Sequence, residues 1–139
     1  MDAVYRHEHV VQQAEIDLLG HVNNLEYIRW MLAAAVAHSD AAGWPTSAHL
    51  KLGAGWVVRS HEIEYLQPAY VGEQIVVRTW VADLKRVTSL RRYEIRREPD
   101  ETVLARASTN WAFVDFKTGT LKRIPPEVIQ AFELVPDPR

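Results

Sequence analysis

The sequence has 139 residues, 47% of them hydrophobic, with 16 basic and 18 acidic side chains and a net charge of -2 at pH 7. This length and apolar content predict one domain, residues 1–139, with its own core. The charge is mixed along the chain, which argues against nucleic acid as a partner. There is no cysteine, so a thiolate nucleophile and a cysteine-based metal site are excluded. No stretch resembles a signal peptide or a membrane-spanning segment, so we expect a cytoplasmic protein that does not bind membranes.

The first predicted element is a strand from Val4 to Gln12, in which His7 and His9 share one face. Two histidines at this spacing are able to bind a metal. No third ligand of a suitable kind is near them in the sequence, so we expect surface or packing histidines and predict no metal site.

A long helix is the next predicted element. Asn23 is a good N-cap residue and Glu26, three residues later, makes an Asn-started capping box, so the helix is predicted to begin close to Asn24. It is predicted to end near Gly43, which Pro45 follows. One stripe at helical spacing contains Leu25, Ile28, Leu32, Ala35, Val36 and Ser39. The other sides are apolar as well, which is typical of a helix surrounded by other elements.

Asp17 lies one short loop before this helix, and Gly20 between them permits a tight turn and close approach of a ligand to the backbone. The first N–H groups of a helix are unpaired, and the helix dipole makes that end electropositive. A carboxylate base or nucleophile and donors for a developing oxyanion would therefore lie in one place. The alternative is that Asp17 only stabilises the helix dipole.

Residues 46–55 are predicted to be a loop. Four strand-like segments rich in β-branched residues follow, separated by turns: Trp56–Tyr65, Glu73–Leu84, Ser89–Glu98 and Thr102–Phe116. Short turns between consecutive strands predict an antiparallel sheet, and a short C-terminal helix is predicted from Pro125 to about Leu134. The predicted class is α+β. One sheet covers only one side of an apolar helix, so we expect a second copy of the chain and at least a homodimer.

Several blocks of this sequence, in order, resemble the hotdog-fold thioesterases of the 4-hydroxybenzoyl-CoA and acyl-CoA thioesterase type. The blocks are Asp17-x-x-Gly20-x-Val22-Asn23-x-x-x-Tyr27, Glu64-Tyr65-Leu66-x-Pro68-Ala69 with Gly72-Glu73, Ala107 to Trp111, Val114-Asp115-x-x-Thr118-Gly119, and Ile124-Pro125-x-Glu127. The resemblance covers roughly Val4 to Leu134. It implies an antiparallel sheet wrapped around a central helix, assembled as a homodimer and often as a dimer of dimers.

The resemblance also implies a reaction, the hydrolysis of a fatty or aromatic acyl-CoA to the free acid and coenzyme A. Carried onto this sequence, Asp17 is the nucleophile or general base, and the backbone N–H groups of Asn23 and Asn24 are the oxyanion donors. Coenzyme A is part of the substrate, so no cofactor is predicted. The basic residues and hydroxyls near strand turns that match the family's coenzyme A phosphate ligands are Lys85, Arg86, Ser89, Lys122 and Arg123.

Two further carboxylate and histidine positions bear on the chemistry. The His-Val-Asn-Asn sequence resembles acyl-carrier-protein thioesterases, which place an Asn two residues after the Asp and a His two further on. Here Leu19 takes the place of that Asn while His21 is present, so His21 is a candidate catalytic residue or a loop-packing histidine. Glu15 either shares a face with Asp17 or is solvated.

Three alternatives to an acyl-CoA thioesterase remain open at this point. The first is hydrolysis of an acyl group carried by an acyl carrier protein. The second is a hydratase, which needs an Asp and a His paired across the pocket. The third is a non-catalytic module that binds acyl-CoA, for which the carboxylate has no use.

Overall fold

The computed structural model describes residues 3–138. One long helix packs against an antiparallel sheet of five strands, and two short helices lie beside it. The elements in chain order are β1 (Tyr5–Val10), a one-turn 3-10 helix (Gln13–Glu15), α1 (Asn24–Ala41), α2 (Thr46–Leu52), β2 (Ala54–Tyr65), β3 (Gln74–Leu84), β4 (Thr88–Glu98), β5 (Thr102–Asp115) and α3 (Pro126–Gln130). The α+β class predicted from the sequence is confirmed.

The strand order in the sheet is β1-β3-β4-β5-β2. The meander β3-β4-β5 follows from the short turns, as expected. The expectation that consecutive strands pair is wrong for β2 and β3, because β2 pairs with β5 and β3 pairs with β1. After β2 the chain stays bonded to β5, through N–H groups of Leu66 and Gln67 that donate to the Leu104 carbonyl. It then crosses the sheet to β3, which lies next to the edge strand β1.

Helix α1 begins where the sequence predicts. The Asn23 side chain accepts a hydrogen bond from the Leu25 N–H at 2.9 Å, as an N-cap should. The predicted capping box is wrong, because the Asn23 N–H donates to the Glu15 carbonyl and Glu26 lies 3.7 Å from Arg29 instead.

The buried face of α1 also differs from the predicted stripe. Its buried residues are Tyr27, Trp30, Met31, Ala34, Ala35 and His38. Leu25 and Val36 of the predicted stripe are exposed. The sheet therefore covers one side of an otherwise apolar helix, and a buried histidine is part of that side.

The segment predicted to be a loop contains helix α2. Pro45 precedes its first turn, and Gly53 ends it in the left-handed conformation, with φ +79°. The Gly53 N–H donates to the carbonyls of His49 and Leu50. These are ordinary start and stop signals. The helix was not predicted because it is only two turns long and its apolar residues do not recur at helical spacing. Helix α3 ends at Gln130, earlier than predicted.

The core forms two clusters on the inner face of the sheet. The larger one lies under α1 and includes Met31, Ile75 and Leu104. The smaller one lies under α2 and α3 and includes Phe113 and Ile124. Within residues 3–138, no helix has both the length and the apolar character needed to span a membrane.

Candidate active site

Asp17 opens a tight hairpin loop just before α1. Ile16 and Val22 form an antiparallel bridge, the Asp17 N–H donates to the His21 carbonyl at 2.9 Å, and the Gly20 N–H donates to the Asp17 carbonyl at 3.1 Å. Gly20 has φ +85°, a conformation that suits glycine and is typical of three-residue hairpin loops. The turn inferred from Gly20 is therefore present, and it fixes the backbone of Asp17.

The two carboxylate oxygens of Asp17 have different surroundings. Oδ1 accepts a hydrogen bond from the Leu19 N–H at 2.8 Å, which is a common turn role for aspartate. Oδ2 lies 3.9 Å from Nδ1 of His21, too far for a hydrogen bond but close enough for electrostatic attraction when the imidazole is protonated. The side chain is 27% exposed. One oxygen is used by the turn, and the other is available to a substrate or water.

The first N–H groups of α1 are not equally available. The Asn23 N–H donates to the Glu15 carbonyl at 2.9 Å, and the Leu25 and Glu26 N–H groups donate to the side chain and carbonyl of Asn23. The Asn24 N–H has no acceptor within residues 3–138. The structure therefore corrects the expectation for Asn23, whose N–H is already used, and leaves Asn24 as the candidate oxyanion donor.

Glu15 is a structural carboxylate that sequence reasoning missed. It is neither solvated nor paired with Asp17. Its oxygens accept hydrogen bonds from the Gln12 N–H at 2.7 Å and from Nε1 of Trp30 at 2.7 Å, and lie 2.8 Å from Nε2 of His9. Burial raises the pKa of Glu15, but these partners outweigh it and the net pKa is lowered. Glu15 therefore anchors the hairpin to β1 and α1.

Tyr65, at the end of β2, also contacts the start of α1. Its hydroxyl donates to the Asn24 carbonyl at 3.0 Å, and its ring meets Tyr27 edge-on with centroids 5.2 Å apart. Both tyrosines belong to the motif blocks, but nothing in their spacing gave them this role. Around the hairpin, Leu18, Leu19 and Leu25 are strongly exposed.

The predicted coenzyme A ligands lie elsewhere. The Ile124 N–H donates to the Arg86 carbonyl at 3.0 Å, so the Lys85–Arg86 turn and the Lys122–Arg123 segment come together. This basic cluster is at the Leu84 end of β3, whereas the Asp17 hairpin is joined, through Val22 and Ala69, to the connection that enters the Gln74 end. Strand β3 has 11 residues and is about 33 Å long, so the basic cluster and the Asp17 hairpin are about one strand length apart.

Ser89 is 5% exposed and its hydroxyl donates to the Asp83 carbonyl at 2.8 Å. Both observations argue against the predicted contact of Ser89 with a phosphate. Among residues 3–138, no three His, Asp or Glu side chains are grouped as metal ligands would be, and His9 pairs with Glu15.

The model of the thioesterase-like superfamily matches residues 11–132. Over 126 residues the chain is 24% identical to the long-chain acyl-CoA thioesterase FadM of Escherichia coli (strain K12), covering 88% of this chain and 92% of FadM. It is 29% identical over 133 residues to YneP of Bacillus subtilis (strain 168), covering 94% of this chain and 96% of YneP.

A solved structure has the same fold. The 1,4-dihydroxy-2-naphthoyl-CoA thioesterase Slr0204 from Synechocystis superposes with a TM-score of 0.85 at 18% sequence identity, covering 92% of this chain and 94% of that one. The likeness extends over nearly the whole sheet and the long helix.

Proposed function

The chain belongs to the thioesterase-like superfamily, and from that premise we propose that it is an acyl-CoA thioesterase of the hotdog fold in which Asp17 is the catalytic carboxylate. The assignment of Asp17 rests on the immediate surroundings of its carboxylate. A half-buried carboxylate stands on a fixed hairpin immediately before a helix whose Asn24 N–H has no acceptor within residues 3–138.

In the proposed reaction, the thioester carbonyl oxygen lies against the Asn24 N–H, at the electropositive end of α1. Asp17 either removes a proton from the attacking water or attacks the carbonyl itself to form an anhydride, which water then hydrolyses. In both routes the carbon–sulfur bond breaks, and coenzyme A leaves as the thiol. Nδ1 of His21 lies 3.9 Å from Oδ2, and His21 stays a candidate catalytic residue rather than an assigned participant.

Label found in the protein after a single turnover in oxygen-labelled water identifies the anhydride route, with water opening the anhydride at the Asp17 carbonyl. Direct attack by water, or opening of the anhydride at the acyl carbonyl, places the label only in the acid product. Neither route requires a metal or a further cofactor.

We propose a homodimer, and a dimer of dimers beyond it, as the active form. Strand β2 is an edge of the sheet and pairs only with β5 in residues 3–138, and long exposed edges are normally covered. The exposed leucines at the hairpin form an apolar surface that a second subunit would bury. The basic cluster is about a strand length from Asp17 in its own chain, so we propose that it serves coenzyme A bound at the site of another subunit.

Coenzyme A is the proposed carrier, in keeping with the name of the relative FadM. An acyl carrier protein remains the alternative carrier, and a cytoplasmic location remains a prediction from the sequence.

The test is thiol release from a panel of aliphatic and aromatic acyl-CoA thioesters, with Asp17→Asn beside the parent protein. Asparagine keeps an oxygen that accepts from the Leu19 N–H, so the variant removes the charge and spares the turn. We expect kcat/KM to fall about a thousandfold. Glu8→Gln, a change of equal charge at an exposed position of β1, should leave it unchanged. Equal rates in Asp17→Asn and the parent would refute the assignment of Asp17.

A further inference from the structure

A cavity of about 200 Å³ lies between the two core clusters, beneath the second half of α1. Three tryptophans and two phenylalanines line it: Trp44, Trp56, Trp111, Phe116 and Phe132. The first residue of α1 in its wall is Ala35, about 16 Å along the helix from Asn24. Neither Asp17 nor the start of α1 is part of the lining, so this cavity is separate from the candidate active site of the same chain.

One cation, Arg91 of β4, lines this apolar cavity and is 6% exposed. Its Nη1 donates to Nδ1 of His38 at 2.9 Å and to Oγ1 of Thr79 at 3.1 Å. Its Nε and Nη2 have no acceptor within residues 3–138. These two nitrogens form the edge of the guanidinium that binds a carboxylate with two parallel hydrogen bonds.

The charge of Arg91 has no counter-ion in the part of the chain that the structure describes. The next residue, Arg92, pairs with Asp137 at 2.6 Å, but no acidic side chain pairs with Arg91. Asp40 also lines the cavity, but it is exposed and forms no ion pair with Arg91. A buried charge without a partner is strongly destabilising.

The protonation states do not relieve this imbalance. Burial lowers the pKa of Arg91 to about 10, which leaves the guanidinium charged at neutral pH. Burial and the neighbouring Arg91 lower the pKa of His38 to about 4, so the imidazole is neutral and accepts the hydrogen bond at Nδ1. Both protein partners of Arg91 are therefore neutral dipoles.

We propose that this cavity binds an apolar carboxylate about the size of a single-ring acid, with the carboxylate on the Nε–Nη2 edge of Arg91 and the ring among the aromatic side chains. The size follows from the volume, since a dry cavity of about 150 Å³ accommodates benzene. The aromatic lining favours a ring. The cation favours an anionic ligand, because an uncharged ligand would leave Arg91 without a counter-ion.

The test is a binding measurement on the full chain, read out by calorimetry or by tryptophan fluorescence, since three of the five tryptophans line the cavity. Benzoate and its uncharged analogue benzyl alcohol are the probes. We expect the parent to bind benzoate at least tenfold more tightly than benzyl alcohol. Arg91→Met should remove that preference, with benzyl alcohol affinity changed less than twofold. Arg91→Lys, which keeps the charge but not the two-pronged edge, should lie between them. Equal affinities for the two probes in the parent would refute the proposal, as would unchanged benzoate binding in Arg91→Met.

A second variant locates the site without touching Arg91. Val36 lines the cavity and is half exposed, so Val36→Trp should fold and fill part of the space. Its expected effect is weaker binding of both probes by a similar factor. Benzoate binding that is indifferent to Val36→Trp would place the ligand elsewhere and overturn the assignment.

Two kinds of ligand present such a carboxylate. One is a free acid, and the other is an acyl group that has a carboxyl at the end remote from its thioester. An acyl-CoA that ends in a carboxyphenyl group, compared with one that ends in phenyl, separates them. If the far end binds here, Arg91→Met raises KM for the carboxyphenyl substrate alone and benzoate competes with it. If a free acid binds here, benzoate binds without competing. The binding test needs no turnover, so it stands or falls independently of the proposed thioesterase reaction.

Discussion

The two ends of α1 lie beside charges of opposite sign, and these charges differ in their exposure and in the groups that fix them. At its start, Asp17 is partly exposed, and backbone groups of its own hairpin fix it. Toward its end, Arg91 is buried and is held by side chains from α1 and β3. Each charge has the sign that the nearer end of the helix dipole favours. The accessible charge is suited to chemistry on a substrate that enters and leaves, while the enclosed charge is suited to retaining a ligand.

Among the further variants, the largest expected effect comes from displacing the exposed charge, and it is smaller than the effect of removing that charge in Asp17→Asn. Asp17→Glu keeps the carboxylate but moves it by one methylene and alters its bond to the Leu19 N–H. Misplacement of a catalytic group by about 1 Å costs on the order of a hundredfold in rate. We expect kcat to fall by about that factor while urea midpoints change little. Full activity in this variant would mean that only charge, and not position, matters at this end of the helix.

A large effect on stability is expected at the other end. The folded-state pKa of His38 is about 4, below its ordinary value of 6.5. Between those values the unfolded chain binds the proton and the folded chain does not, so stability falls as pH drops from 6.5 to 4, by up to about 3 kcal/mol. His38→Asn, which still offers Arg91 an oxygen, should reduce this dependence. Urea unfolding at pH 7 and 4.5, at equal protein concentration, measures it. Identical pH slopes in both proteins would contradict this account.

A smaller effect is expected from the cap of α1. Asn23→Ala removes the acceptor for the Leu25 N–H and should cost about 1 kcal/mol of unfolding free energy. Asn24→Ala is the matched control, since it keeps the backbone N–H proposed as the oxyanion donor. In Asn24→Ala, both the unfolding free energy and kcat should stay near those of the parent. A loss of activity in Asn24→Ala would assign the role to the side chain instead.

The smallest effect is expected at the basic cluster. Replacing both Lys85 and Arg86 by alanine should raise KM for acyl-CoA severalfold and leave kcat unchanged, because an exposed charge pair typically contributes about 0.5 kcal/mol. Lys51→Ala, at an exposed position on α2, controls for loss of positive charge. A KM equal to that of the control would remove these residues from the coenzyme A site.

The same contrast explains what the sequence could predict. The start of α1 at Asn24 and the turn at Gly20 depend on residues within a few positions of each other, and both predictions are confirmed. The contact of Arg91 with His38 joins residues on α1 and β4 that no local pattern connects. A charged residue on a strand normally faces water, so its burial becomes evident only from the sheet register.

In the candidate site too, some features could be predicted from neighbouring residues and others depend on contacts between distant residues. The position of Asp17 follows from its neighbours, but the use of the Asn23 N–H depends on Glu15, which depends in turn on His9 and Trp30. The location of Lys85 far from Asp17 follows from strand order, and the pairing of β2 with β5 rather than β3 could not be read from turn lengths.

The strand order has a consequence for how the chain reaches this structure. Tyr5 pairs with Thr79, and Ala54 pairs with Asp115, so both outer strands join partners far away along the polypeptide. Closing such long loops costs entropy before any contact repays it, and folds dominated by distant pairings assemble slowly. The β3-β4-β5 meander is the only part of the sheet with short closures in residues 3–138. We expect it to form first, with β1, α1 and β2 adding to a surface that already exists.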